Sequence, residues 1–261
     1  MAWIKEASGS TSGPSASVVV TVPTGGFPAG HLLVLGVICV VSGATNPAMA
    51  VSDSKGNTWV ADRTVAPITG QTTYVLQSST LVTTTLNAGD TITVNAPGNT
   101  PNRFAVTVQE FNDIVASNDT GSVNDNGGAS SSNLTSGSFT TVNPNNLIVN
   151  VVGLVSAGRT FTPGTNYHGG TKVASTNGTG DRAVVAQWRY VTNTSLFTTP
   201  SSLNAGSIYA SVAQAYTGRS SNAKVWNGSS WASHPVKVWD GSGWVVHQAK
   251  GHDGSSWVVG K

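Results

Sequence analysis

Apolar residues along this chain fall in short runs, broken by clusters of Gly, Pro, Asn and Ser. The pattern predicts strands over residues 17–22, 32–41, 58–61, 72–76, 91–94, 104–111, 147–155, 183–190 and 207–216. Residues 104–111 (FAVTVQEF) alternate with the period of two that sets one strand face on a core. The stretch 31–41 holds about ten apolar residues. That is too few for a bilayer-spanning helix of ~20 and suits a buried strand. No segment sustains the 3.6-residue period of an amphipathic helix. Turn-rich stretches at 23–30, 43–47, 97–101, 124–133, 163–166 and 177–181 separate the runs. The expected fold is all-β: a jelly-roll-like antiparallel β-sandwich over residues 1–220, followed by a short Trp-rich β-hairpin repeat over 221–261.

The body carries an internal echo. Residues 28–35 (PAGHLLVL) are similar to 144–151 (PNNLIVNV), and each opens a long apolar strand. Residues 104–111 (FAVTVQEF) parallel 209–216 (YASVAQAY), both ending in an aromatic. The two halves are therefore expected to contribute similar sets of strands to two packed sheets.

The end of the chain repeats outright. AKVWNGSSWASHP, VKVWDGSGWVVHQ and AKGHDGSSWVVGK are three units of 13 residues. Lys224, Lys237 and Lys250 share one column, and Trp226, Trp239 and His252 the next informative one. Asn227-Gly228, Asp240-Gly241 and Asp253-Gly254 supply the positive φ angles of tight turns. Trp231, Trp244 and Trp257 close the units. Each unit reads as a small hairpin with an aromatic on each arm. One hairpin alone is marginal in water. The repeat is therefore expected to anchor the chain or to drive oligomerisation.

Composition narrows the classes. Only 9% of residues are charged and 30 are Gly, against ~25% charged in ordinary domains. An all-helical protein is excluded, and so is collagen, because Gly lacks a three-residue period. The net charge of +2 resides in the repeat, which leaves the body neutral. A neutral body has no electrostatic footprint for nucleic acid. The single Cys39 excludes an intrachain disulfide framework and reads as a small buried hydrophobe. The first ten residues, MAWIKEASGS, do not have the layout of a secretory signal. Synthesis in a cytoplasm, without membrane insertion, is expected.

Candidate chemistry is sparse. Glu110 and Asp113 are the one local carboxylate pair suited to acid–base work, against the simpler reading of a solvated strand end. His31, His168, His234, His247 and His252 show no zinc-ligand spacing. Asn124-Asp125-Asn126-Gly127 gathers oxygen ligands but lacks the following Glu of a calcium loop. No enzyme activity, cofactor or metal is expected. Carbohydrate or partner contact is the stronger site hypothesis. Five of eight Trp lie in the repeat (Trp226, Trp231, Trp239, Trp244, Trp257), and Tyr167, His168, Trp188 and Tyr190 form a second aromatic group in the body. The competing reading makes these rings structural.

The segments KVWNGSSW (224–231) and KVWDGSGW (237–244) resemble C-terminal repeats of minor tail proteins and other virion surface proteins of phages infecting actinobacteria. The third unit departs from the pattern, with Gly251-His252 in place of Val-Trp. PAGHLLV (28–34), DSKGNTW (53–59), GDTITV (89–94) and VQEF (108–111) resemble β-sandwich modules of phage and bacterial surface proteins. The resemblance implies a virion structural protein: an exposed minor tail protein contacting host-surface glycan, or a capsid decoration protein anchored by the repeats. A stand-alone carbohydrate-binding module is the alternative. The virion reading implies other virion proteins as partners, and a homo-oligomer.

Overall fold

The computed structural model describes residues 1–11, 13–41, 48–96, 101–175, 181–219, 222–226, 231–239, 244–247, 250–252 and 257–259, with backbone alone for 101–102, 116–117 and everything beyond 219. The chain divides into two compact units, Met1–Gly218 and Arg219–Lys261.

The first unit is all-β. Its strands are β1 (Ala2–Ser10), β2 (Ser17–Thr21), β3 (Leu32–Val41), β4 (Ala50–Asp53), β5 (Val60–Val65), β6 (Thr73–Leu81), β7 (Thr91–Asn95) and β8 (Pro101–Asn112). These are followed by β9 (Ile114–Asn124), β10 (Ser131–Leu134), β11 (Ser138–Thr140), β12 (Asn146–Leu154), β13 (Phe161–Pro163) and β14 (His168–Gly169). The last are β15 (Val173–Ala174), β16 (Ala183–Val191), β17 (Leu196–Thr198), β18 (Ser201–Ser207) and β19 (Tyr209–Gly218). Among the described residues no helix is long and apolar enough to cross a membrane.

Sheet order shows one topology used twice. The first half builds a large sheet, β1-β8-β3-β6-β5, and a small one, β2-β7-β4. The second half builds β9-β19-β12-β16 with β14 and β15 on its edge, and a small sheet β10-β18-β13. Strand for strand these are the same order. Even the isolated bridge Phe27–Leu86 has its counterpart in the β11–β17 pair, where Phe139 faces Phe197. Register agrees as well: Leu32 pairs with Phe111 and Leu147 with Tyr216, while Val34 faces Gln109 and Val149 faces Gln214. The order is that of a jelly roll, with β5 carried over to the large sheet. The expected single sandwich is thus two sandwiches in tandem, joined at Asp113, whose φ of 58° turns the chain between β8 and β9.

Burial explains the sequence pattern. The edge sheets alternate, as in β2, where Val18 and Val20 are buried and Val19 is 50% exposed. All of β3 and all of β12 are buried. One face of β3 (Leu33, Leu35, Val37, Cys39, Val41) packs with Val18, Val20, Ile92 and Val94 of the small sheet. The other face meets the second sandwich. Ile38, Val75 and Ala105 share a cluster with Val151, Val184 and Val212, and Leu32, Val34 and Phe111 share another with Leu147, Val149 and Trp188. A strand covered on both faces reads as a continuous apolar run, which is why 32–41 has no period of two.

The second unit contains β20 (Asn222–Trp226), β21 (Trp231–Trp239), β22 (Trp244–His247), β23 (Lys250–His252) and β24 (Trp257–Val259). β21 pairs with β20 through its first half and with β22 through its second. Three hairpins result, one per sequence repeat.

Candidate functional site

A surface cleft of about 300 Å³ lies on the second sandwich. Its walls come from the loop before β14 (Thr165, Tyr167), from Arg189 on β16, and from residues 193–200 around β17. The loop is held tightly. The Gly164 amide donates to the Gln187 side-chain oxygen at 3.0 Å, and the Gln187 amide donates to the Pro200 carbonyl at 3.1 Å. A Cβ on Gly164 would lie 2.0 Å from that same carbonyl oxygen, so only glycine fits there. The Tyr167 hydroxyl donates to the Thr198 carbonyl at 2.9 Å and bridges the two walls. Burial pushes that hydroxyl up to about 12, beyond the opposing effect of Arg189, so it stays neutral.

Arg189 sits between two rings. Its guanidinium carbon is 5.9 Å from the Tyr167 ring centre and 5.7 Å from that of Phe197. Among the described residues it is the one charged group lining the cleft. Among the described residues it has no carboxylate partner. The side chains of Thr165, Asn193, Ser195 and Thr198 hydrogen-bond to nothing described. Leu196, 69% exposed, stands at the rim. The site therefore offers a fixed cation, free hydroxyl and amide groups, and one apolar contact.

A second cluster closes one end of the first sandwich. Glu110 is fully buried, with Oε1 2.6 Å from His31 Nδ1 and Oε2 3.7 Å from Lys5 Nζ. Lys5 also lies 5.4 Å from the Phe27 ring centre. The expectation of a solvated strand end at Glu110 is corrected: its face of β8 turns into the core. Asp113, in the joint between the sandwiches, pairs instead with the Met1 amine at 3.3 Å.

The expected aromatic group in the body splits in two, because neighbouring residues of a strand point to opposite faces. Tyr167 enters the cleft. Trp188 turns to the seam between the sandwiches and is 4% exposed. Its ring stacks on Trp3 at 5.5 Å and on His168 at 6.2 Å, with Phe111 edge-on at 5.8 Å. It has no free face for a sugar. Tyr190 packs half-buried beside it, and burial, with Asp113 nearby, pushes its hydroxyl far up. Asp125 of the calcium-like loop accepts from the backbone amides of Thr69 and Gly127 and from the Thr69 hydroxyl, an ordinary Asx arrangement. In the repeats the backbone sets Trp226 opposite Trp231, Trp239 opposite Trp244 and His252 opposite Trp257. The turn residues Asn227, Gly228, Asp240, Gly241, Asp253 and Gly254 lie outside the described residues.

Sequence reasoning passed over Arg189, Asn193, Ser195, Leu196 and Phe197. One signal was available: Arg189 is the single charge in the strand AVVAQWRYV. No protein-family model, curated protein or solved structure matches the chain.

Proposed function

We propose that this protein is a structural component of a phage virion, exposed as a minor tail protein. In this reading its body contacts glycan on the host surface through the Arg189 cleft, and its repeats attach it to neighbouring virion proteins or to further copies of itself. The observation that carries the glycan contact is the set of cleft side chains without protein partners, on walls pinned by Gln187 and Tyr167. Among the described residues that line it there is no carboxylate, histidine or cysteine, which favours binding over turnover. A charge-poor body of two packed sandwiches and a hairpin repeat like those of tail proteins support the virion placement.

Immunogold electron microscopy of purified particles, with antibody raised to residues 1–218, tests the placement. Gold at the distal tail is the expected result. Gold over the head would make the protein a capsid decoration anchored by its repeats. Unlabelled particles would overturn the virion reading and leave the stand-alone glycan-binding module, which the same cleft favours.

A further inference from the structure

We infer that the Arg189 cleft selects an acidic saccharide, one whose carboxylate pairs with the Arg189 guanidinium. The inference rests on the glycan-contact reading and names its ligand class. Arg189 is held in place by Tyr167 and Phe197 on its flanks, at 5.9 and 5.7 Å, with no counter-charge among the described residues. A guanidinium flanked by two rings, with no hydrogen bond among the described residues, keeps its planar fork of N–H donors free. That fork matches a carboxylate in a two-point pair, and part of the ordering cost has been met before the ligand arrives. A simple anion would need nothing more. This cleft also presents the hydroxyls of Thr165, Ser195 and Thr198 and the amide of Asn193, which suit the alternating donors and acceptors of a sugar ring. Exposed Leu196 suits the C–H face of that ring. The volume, about 300 Å³, is at the small end for ligand pockets. It favours a terminal sugar unit over an internal stretch of chain.

Titration of the full chain with three probes tests this: a β-glucuronide disaccharide, its carboxyl-reduced glucoside, and the 6-phosphorylated glucoside. The glucuronide is expected to bind at least tenfold tighter than the reduced form, with a preference that shrinks as salt is raised. Arg189→Gln should remove the preference, and Arg189→Lys should keep only a small part of it. Leu196→Ala, at an exposed position that does not support the fold, should weaken both sugars alike. An unchanged thermal transition establishes that each variant is folded. Equal binding of glucuronide and glucoside, indifferent to Arg189→Gln, would overturn the acidic-sugar inference while glycan contact stands. Tighter binding of the phosphorylated probe would overturn the carboxylate assignment. No binding of any probe at millimolar concentration would overturn glycan contact at this cleft altogether.

Discussion

Gly36 and Val151 occupy the same position in the two copies of the sandwich, and they pack directly against each other. A Cβ placed on Gly36 would fall 2.5 Å from Val151 Cγ1. One step along, Ile38 and Gly153 are also equivalent, and a Cβ on Gly153 would lie 3.1 Å from Ile38 Cδ1 and 2.3 Å from Val75 Cγ2. Each central strand thus sets a branched side chain against a glycine of the other. Equivalent residues in contact are the mark of an isologous, two-fold interface, here folded into one chain.

Gly36→Ala should therefore destabilise the protein by about 1–3 kcal/mol through overpacking. Val151→Ala alone should also cost about 1–3 kcal/mol, through the cavity it leaves. The double variant should be close to Val151→Ala, because the removed methyls make room for the new one. Urea unfolding of the four proteins measures this. Strictly additive losses would mean that the two positions do not touch.

Asp62 crosses the same seam. Its carboxylate accepts from the Tyr216 hydroxyl at 2.6 Å, from Asn118 at 2.7 Å and from Ser79 at 3.0 Å. Burial raises its pKa above the ordinary 3.8, against the lowering effect of those bonds and of Arg63. Between the unfolded and the raised folded pKa the native state holds more protons than the unfolded chain. Stability must therefore fall as pH rises through that interval and level off above it. Asp62→Asn lacks this slope. Subtracting its unfolding free energy from the wild-type value, from pH 3.5 to 7, should give a difference that becomes less favourable with rising pH. A flat or opposite trend would refute the assignment.

What the sequence revealed follows from how each strand is covered. β3 and β12 are buried on both faces, so their apolar runs announced them. β7 and β8 were legible through alternation. β1 (AWIKEASGS) and β9 (IVASNDTGSVN) were not, because edge strands of the large sheets carry polar and turn-forming residues. The echo between 104–111 and 209–216 marked β8 and β19 as counterparts. The full duplication was hidden because the small sheets share topology without sharing residues. Trp188 and Tyr190, two residues apart, share one face of β16, yet nothing local says that a second sandwich covers that face. The cleft was missed for the complementary reason. Arg189 is two residues from Gln187 in sequence, but Tyr167 and Phe197 reach it only through the fold.

Cys39, the one cysteine, is fully buried in the first sandwich, and burial pushes its thiol up to about 12. It should resist thiol reagents in the native state at pH 8. Labelling with a chromogenic disulfide should appear only as the first sandwich opens, and its rate should rise with denaturant in step with unfolding. Rapid stoichiometric labelling of native protein would contradict the burial.

The Glu110–His31 contact should be structural. Removing the partner of a buried charge costs about 3–5 kcal/mol when nothing replaces it. His31→Ala should approach that range. His31→Gln, which can still donate to Glu110, should recover a large part of the loss. Thermal unfolding at neutral pH distinguishes them. Equal and small losses for both would mean that Lys5, 3.7 Å away, is the partner that matters.

The repeats should be dispensable for the body's fold. Met1–Gly218 and Arg219–Lys261 form separate compact units. A chain ending at Gly218 should keep the thermal transition of the body within about 2 °C, equivalent to under ~1 kcal/mol for a domain of this size. Association should behave differently. The backbone register sets Trp226 against Trp231 and Trp239 against Trp244, and such cross-strand aromatic pairs contribute only about 0.2–1 kcal/mol each. Hairpins this small are marginal alone and gain stability by binding something more. If the repeats join copies of the chain, light scattering should find an oligomer for the full chain and a monomer for residues 1–218. Trp239→Ala in the full chain should weaken that oligomer and leave the body's transition in place. A truncated body that melts well below the full chain would instead make the repeats part of the fold. An oligomer that survives truncation would place the self-association surface on the sandwiches.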